Sequence, residues 1–405
     1  MKCLIPNVEN WQGHFEELVK LPFLGLFNET ASDFLADLSK QILTNKKMRQ
    51  YPELIATGFW LRQGHIHELQ QDFNNRFGGR LILPRGVVFH IAPSNVDSIF
   101  LYSWVLSLLA GNSNIIRLST RQDEQLGILL GLIEKTLAKE EYLELRRRNM
   151  IVSYPHDEQV TKLFSNKCHV RVIWGGDATI QAIRAIPLKP IATELVFADR
   201  FSSVVLSAQH VLRASDEDFE QLLHHFYNDA FWFQQMACSS PRMIAWIGET
   251  EQITKAEARF WQGLQKKLEQ EKHSISAALH MTRLSTAFYY GAQAESTAVS
   301  IADNTSSLRV EMSTLNKNIR EVHCGGGIFL EMVFSSLAEL APVFNEKDQT
   351  LSYYGFTKKE LVEFVMTLQG RGIDRIVPVG QALDFHEIWD GYHLLTYFTR
   401  EIDLR

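Results

Sequence analysis

The sequence predicts an α/β protein: a doubly wound parallel sheet followed by a second α/β domain. Three observations predict it. Short apolar runs at 87–92 (VVFHIA), 114–118 (NIIRL) and 170–174 (VRVIW) have strand length and alternate with amphipathic helical segments. The joining turns are short and polar, as at 93–95 (PSN) and 175–177 (GGD). The chain has 405 residues, of which 45% are hydrophobic and 22% charged, enough for two or three domains with sizeable cores.

Residues 1–80 read as amphipathic helices, with Phe34, Leu35, Leu38 and Ile42 at helical spacing and Pro52 interrupting a later segment. The character changes at Leu81. The first strand, 87–92, runs into the turn Pro93-Ser94-Asn95, where Asp97 or Ser98 can cap the following apolar helix. Gly111-Asn112 ends that helix before the strand 114–118. A helix over 122–139, a strand at 150–153, a helix over 157–164 and the strand 170–174 follow in order. Right-handed crossovers then wind the sheet in both directions from its first strand.

A strand at 203–207 closes this half. The second half opens on a long helix over 216–235, then the strand 243–247 and a charged helix over 252–270. Strands at 327–330 and 376–379 flank a helix at 358–368. The expected domains are 1–207, a helical segment plus a cofactor-binding α/β domain; 208–380, a second α/β domain; and 381–405, a tail that packs back or oligomerises.

Composition excludes several classes. The net charge is −6, not the basic footprint of a nucleic-acid binder. The longest apolar stretch, 98–110, is too short to span a bilayer, and no signal-peptide pattern follows the initial methionine. Cys3, Cys168, Cys238 and Cys324 are far apart, with no CxxC, so neither a zinc site nor a disulfide framework is expected, and a reducing cytoplasm fits. The pairs His65-x-His67 and His224-His225 lack a third ligand at useful spacing. His323-Cys324 and the glycines 325–327 read as a turn into a strand.

Three short segments carry candidate chemistry. Asn95 follows a buried strand in a Pro-x-Asn turn. It either supports that turn or offers its amide to a developing oxyanion. Gly175-Gly176-Asp177 follows another buried strand. It is either a plain βα turn capped by Asp177 or a backbone cradle for a pyrophosphate at a helix N-terminus. Cys238 lies between a helix and a strand. It is either a buried structural thiol or a nucleophile able to form a thioester.

In this order the segments resemble the acyl-CoA reductases of the LuxC type, a branch of the aldehyde dehydrogenase superfamily. The resemblance rests on GVVFHIAPSNVDS (86–98), LLAGNSNIIRLS (108–119), VIWGGDATIQAIRAIP (172–187), ATELVFADRFSSVVL (192–206), ACSSPR (237–242) and RGIDRIVPVGQALDFHEIWDG (371–391). It implies an aldehyde-dehydrogenase-like fold with a nicotinamide domain and a catalytic domain. By motif match, Cys238 is the nucleophile, Asn95 the oxyanion-hole amide, and Glu194 stands where the superfamily has a general base. Ile91, Pro93, Arg117, Ser119, Gly175, Gly176 and Asp177 fall on the cofactor segments, and Glu331 is a looser match for a ribose-binding carboxylate. Arg117 replaces the superfamily's lysine, which implies NADPH over NADH. The usual Gly-Gly-Lys after Glu194 is missing. The implied reaction reduces an acyl-CoA or carrier-bound thioester to an aldehyde in a cytoplasmic homo-oligomer, with a possible acyl-transferring partner protein. Alternatives in the same fold are an acyl-phosphate reductase, an aldehyde dehydrogenase, or a cofactor-binding pseudoenzyme that presents an acyl group.

Overall fold

The computed structural model describes residues 1–93, 99–121, 123–301, 307–370 and 372–405. The chain divides into one unit of Met1–Asp199 with Phe385–Arg405 and a second of Arg200–Asp384.

Up to Asp199, the strands of the first unit are β1 (Lys2–Ile5), β2 (Leu81–Pro84), β3 (Val87–Ile91), β4 (Ser113–Leu118), β5 (Asn149–Ser153), β6 (Val170–Trp174) and β7 (Thr193–Phe197). Six form one sheet in the order β1-β5-β4-β3-β6-β7, parallel except for the edge strand β1. The chain winds outward from β3 through β4 to β5, then crosses to β6. The strand order therefore reverses between β3 and β6, and ligands bind at the carboxyl edge of such a reversal. β3 is buried along its whole length, because helices cover both faces. One of them, Phe100–Leu109, is buried at every position. The remaining strand, β2, pairs antiparallel with the C-terminal strand Thr399–Ile402.

The amino-terminal helices are Trp11–Leu18, Glu29–Thr44, Pro52–Trp60 and Gln63–Phe77. Pro52 opens its helix instead of breaking one, since the first helical position needs no N–H. A polar chain fixes β3 from within. His90 is fully buried, bonded to Ser103 Oγ at 3.0 Å and Asn114 Oδ1 at 3.1 Å. Burial lowers its pKa to about 4, so the ring is a neutral hydrogen-bonding strut.

The second unit holds β8 (Phe201–Ser207), β9 (Pro241–Ile247), β10 (Ser296–Ile301), β11 (Leu308–Met312), β12 (Ile328–Phe334), β13 (Asp348–Tyr354) and β14 (Arg375–Pro378), in the order β10-β11-β12-β9-β8-β13-β14. Only β10 is antiparallel to its neighbour. Along β9, Met243 and Ala245 face one core while Ile244 and Trp246 face the other, the alternation a doubly covered sheet requires.

The expected domain limits shift: the second unit runs to Asp384, not 380, and the tail from Phe385 belongs to the first unit. The strand near 203–207, placed in the first domain, lies between β9 and β13 in the second sheet, so the division falls at Asp199. The long helix ends at Phe231, not 235, because residues 233–235 take left-handed backbone angles.

Asp229, buried on that helix, accepts Gly380 N–H at 2.7 Å and Ala382 N–H at 3.0 Å. Burial outweighs these bonds and raises its pKa from 3.8 to about 7. A carboxyl with a raised folded pKa binds its proton more tightly when folded. Its contribution to stability is full below about pH 4 and is lost as pH rises to about 7. Asp229→Asn is expected to flatten part of that fall, by a few kcal/mol. Urea unfolding midpoints between pH 4.5 and 8 check this, and an unchanged slope contradicts it.

Candidate active site

The candidate residues fall in two places, one in each unit. In the first unit, a cleft of about 490 Å³ opens at the carboxyl edge of the sheet, where β3, β4 and β6 end. Five predicted cofactor residues line it: Pro93, Arg117, Ser119, Gly175 and Gly176. Gly176 is the N-cap residue of the helix Asp177–Arg184. A Cβ at Gly176 meets no atom within 4 Å, so internal packing does not demand glycine there. Its absent side chain leaves the helix's first N–H groups open to a ligand.

The β4 end of the cleft is cationic. The Arg117 guanidinium lies 5.4 Å from the Tyr154 ring centre and donates from Nη2 to Tyr154 O at 3.2 Å. Burial lowers its pKa, but a guanidinium stays charged. Arg121, His156 and Thr120 stand beside it, and the sequence reading missed all three. Arg121 and Thr120 directly follow a predicted strand, which was the available signal. His156 carried none, because it enters from the loop after β5. Trp174 forms a wall, stacked on Phe197 with centroids 3.8 Å apart and bonded from Nε1 to Ser103 Oγ at 3.2 Å.

Two predicted cofactor residues fall elsewhere. The Ile91 side chain is buried in the core beneath the cleft, because β3 is covered on both faces. Asp177 is the first helical residue and not the cap, and it is absent from the cleft lining. Asn95, with Asp97 and Ser98, lies outside the described residues.

Glu194 is committed to two ion pairs. It sits early in β7, beside Arg171 of β6, away from the carboxyl edge where the cleft opens. Its Oε2 accepts from Arg171 Nε at 2.8 Å, and its Oε1 from Arg184 Nε at 2.8 Å. Arg171 is buried and also bonds Ser165 Oγ and Ile186 O. The geometry corrects the expectation of a general base: this carboxylate neutralises a buried guanidinium. Glu194→Gln is expected to cost about 3–5 kcal/mol of stability, the penalty for breaking a buried pair. Turnover per folded molecule should fall less than about tenfold. Collapse of kcat with unaltered stability in urea is the opposite result.

Glu331 is likewise no ribose ligand. It is buried in β12, accepts Trp246 Nε1 at 3.0 Å and Trp261 Nε1 at 2.7 Å, and pairs with Arg309 at 3.4 Å.

In the second unit, Cys238 is half-buried just before β9. The turn that presents it is strained. Phe233, Gln234 and Gln235 have φ of 55°, 54° and 62°, each costing about 1–2 kcal/mol for a side-chain-bearing residue. The Gln235 amide holds the turn from a fully buried position. Its Nε2 donates to Pro241 O at 2.8 Å and Ile328 O at 3.0 Å. Its Oε1 accepts Gly327 N–H at 2.9 Å and Ile328 N–H at 3.1 Å. Cys238 O accepts from Ser202 Oγ at 2.6 Å.

The glycine run that reads as a turn into a strand does lead into β12, and it also packs on the cysteine turn. Gly326 N–H donates to Gln234 O at 2.8 Å. A Cβ on Gly325 would lie 2.7 Å from both Gln234 O and Met236 Sδ, and its φ of 71° is left-handed. His323 fixes the entry by accepting Gly325 N–H at 3.0 Å on Nδ1 and bonding Ile328 O at 3.0 Å through Nε2. Burial, then the Arg242 charge, pushes its pKa down to about 3, so it stays neutral.

The other cysteines are poor nucleophiles. Burial pushes Cys3 up to about 11 and Cys168 up to about 12, and it raises Cys324 as well. Among the described residues, no group of three or more His, Cys, Asp or Glu side chains is placed to hold a metal, and no helix is long and apolar enough to cross a membrane.

The two α/β units together define an aldehyde-dehydrogenase fold. The chain superposes on 1-pyrroline-5-carboxylate dehydrogenase of Thermus thermophilus with a TM-score of 0.64 at 12% identity, covering 96% of this chain and 83% of that one. Staphylococcus aureus AldH gives 0.63 at 14%, with 97% and 93% covered, and Escherichia coli lactaldehyde dehydrogenase 0.62 at 12%, with 98% and 89%. No curated protein sequence matches it. The sequence profile of the acyl-CoA reductase (LuxC) family matches residues 67–401, and the chain belongs to that family of oxidoreductases.

Proposed function

We propose that this protein reduces an acyl thioester to an aldehyde through a Cys238 acyl-enzyme, with NADPH as reductant. The observation that carries the reading is the Cys238 turn: a half-buried thiol on a strained loop braced by the buried Gln235 amide, in a member of the acyl-CoA reductase family. The cleft of the first unit suits a dinucleotide, with open helix N–H groups at Gly176 and guanidinium groups at Arg117 and Arg121.

The Cys238 thiolate attacks the thioester carbonyl, and the coenzyme A or carrier thiol leaves with a proton. The family resemblance assigns the backbone N–H of Cys238 and the amide of Asn95 as oxyanion donors, and a donor in that role is worth on the order of 10²–10³ in rate. When bound, the nicotinamide supplies a hydride. Cys238 then releases the reduced acyl group as aldehyde and regains its proton. No carboxylate base is needed, because the acyl-enzyme is reduced and not hydrolysed. Glu194 therefore has no part in the chemistry.

The guanidinium at Arg117 suits a 2′-phosphate. NADPH is expected to bind about tenfold more tightly than NADH, and Arg117→Ala to narrow the ratio, in keeping with one charge-assisted contact. Calorimetry at fixed ionic strength measures both, and equal affinities in the unaltered protein remove the argument. The reductase reading itself is tested by mass spectrometry after mixing with acyl-CoA. A labile acyl adduct on Cys238 that NADPH discharges is expected. An adduct that NADPH leaves in place points instead to a protein that only presents acyl groups.

A further inference from the structure

Ser202, on β8, is fully buried. Both strands beside it break register at this point. β9 advances from Pro241 to Met243 while β8 advances only from Ser202 to Ser203. β13 advances three residues, from Asp348 to Leu351, while β8 advances two, from Phe201 to Ser203. Each neighbour therefore carries one extra residue against Ser202, and both run parallel to β8. Bulges are rare in parallel pairs and are over-represented beside active sites, where they re-aim a side chain. Pro241, the partner of Ser202 in β9, widens the break because it has no N–H to donate.

The Ser202 hydroxyl bridges this break. Its Oγ accepts Thr350 N–H of β13 at 3.2 Å and donates to Cys238 O at 2.6 Å. The second distance is at the short end for an O–H···O bond. A hydroxyl that accepts one bond while donating another is polarised, which strengthens the bond it gives. The Cys238 carbonyl belongs to the peptide that joins Cys238 to Ser239. Holding that carbonyl fixes rotation about the Cα–C bond of Cys238, and so sets how its side chain leaves the backbone before β9. Gln235 braces the turn through Pro241, Gly327 and Ile328, whereas Ser202 acts on the cysteine itself.

We propose that Ser202 is a positioning residue for the nucleophile: its hydroxyl relays the backbone of β13 to the Cys238 carbonyl and thereby aims the thiol at the acyl carbon. The proposal rests on the reading of Cys238 as the acylated residue. A misplacement of about 1 Å at a reacting centre costs on the order of 10²-fold in rate. Loss of the hydroxyl therefore falls on kcat, with substrate binding left as it was.

The test uses the full chain and two matched pairs that differ at residue 202 by the hydroxyl. One pair is the unaltered protein and Ser202→Ala. The other is Ser202→Thr and Ser202→Val, which share the same branching, so packing strain cancels between them. NADPH-dependent reduction of an acyl-CoA is measured per mole of folded enzyme. In each pair the member without the hydroxyl is expected to lose about tenfold or more in kcat, with KM within about twofold. Ser202→Thr should stay within about threefold of the unaltered kcat. Hydrogen exchange reads the relay without turnover: Thr350 N–H should exchange about tenfold faster in Ser202→Ala and Ser202→Val. Equal kcat within either pair overturns the proposal. Equal loss in all three variants also overturns it, since residue 202 is then a packing position. So does failure of both hydroxyl-free variants to fold, since the hydroxyl is then a requirement of the fold. Acylation of Cys238 in the unaltered protein is followed alongside by mass spectrometry. Absence of the adduct removes the reductase reading and the positioning role with it, whereas an adduct with equal kcat in the pairs removes only the role of Ser202.

Discussion

Cys238→Ser is expected to abolish NADPH-dependent aldehyde formation while leaving fold and cofactor binding intact. A thiol forms a thioester with the acyl group, activated enough to accept hydride, whereas a serine ester is a poor acceptor. The substitution is nearly isosteric at a half-buried position, so little stability is at stake. Cys324→Ser is the matched control. Cys324 is also half-buried in the same unit, but burial holds its thiol above the usual range. That variant should stay within a few-fold of the unaltered rate. The measurement is aldehyde formed per mole of folded enzyme, with the aldehyde identified directly. Retained activity in Cys238→Ser removes the covalent mechanism altogether.

Gln235→Ala should have the second largest effect, and on two quantities together. It removes four hydrogen bonds and leaves Pro241 O, Ile328 O and the N–H groups of Gly327 and Ile328 without that partner. Each buried orphan costs about 1–3 kcal/mol, and partial relaxation brings the expected loss to about 3–5 kcal/mol. The turn also loses the brace that holds three left-handed residues in place. Acylation of Cys238 is therefore expected to fall at least tenfold even at temperatures where the variant is folded. Urea denaturation and single-turnover acylation test the two parts separately. Loss of stability with full acylation makes Gln235 a core residue only.

Much of the first unit was legible because its signals are local. VVFHI, NIIRL and VRVIW are apolar and strand-length, and β3, β4 and β6 appear within a residue of those runs. The strand β13 went unread. Its sequence, DQTLSYY, is polar, yet Asp348, Gln349, Thr350 and Ser352 are all buried in the sheet. Buried Asp348 is paired with Arg320, 28 residues away, at 3.1 Å and also accepts Asn345 N–H at 2.7 Å. Hydrophobic pattern cannot announce a strand that packing buries in spite of its polar side chains.

The candidate site divides the same way. Pro93, Arg117, Ser119, Gly175 and Gly176 could be read together because each lies at or just past the end of a strand, and parallel strands bring their carboxyl ends to one edge. Cys238 could be placed before a strand from its neighbours in the chain. Glu194 shows the limit of that reading. Its segment matched a motif, but Arg171 and Arg184 occupy both of its oxygens.

The sequence by itself determined the alternation of strands and helices, the family, and which residues crowd the cleft edge, since these depend on periodicity and order along one stretch of chain. Tertiary structure alone decided that residues 201–207 belong to the second sheet, that Gln235 locks the turn to a glycine run some 92 residues further on, and that Arg283 keeps two donors unmatched among the described residues. The first two are statements about which partner a backbone or side-chain group finds. That choice is made by packing between segments far apart in the chain, where local pattern carries no information.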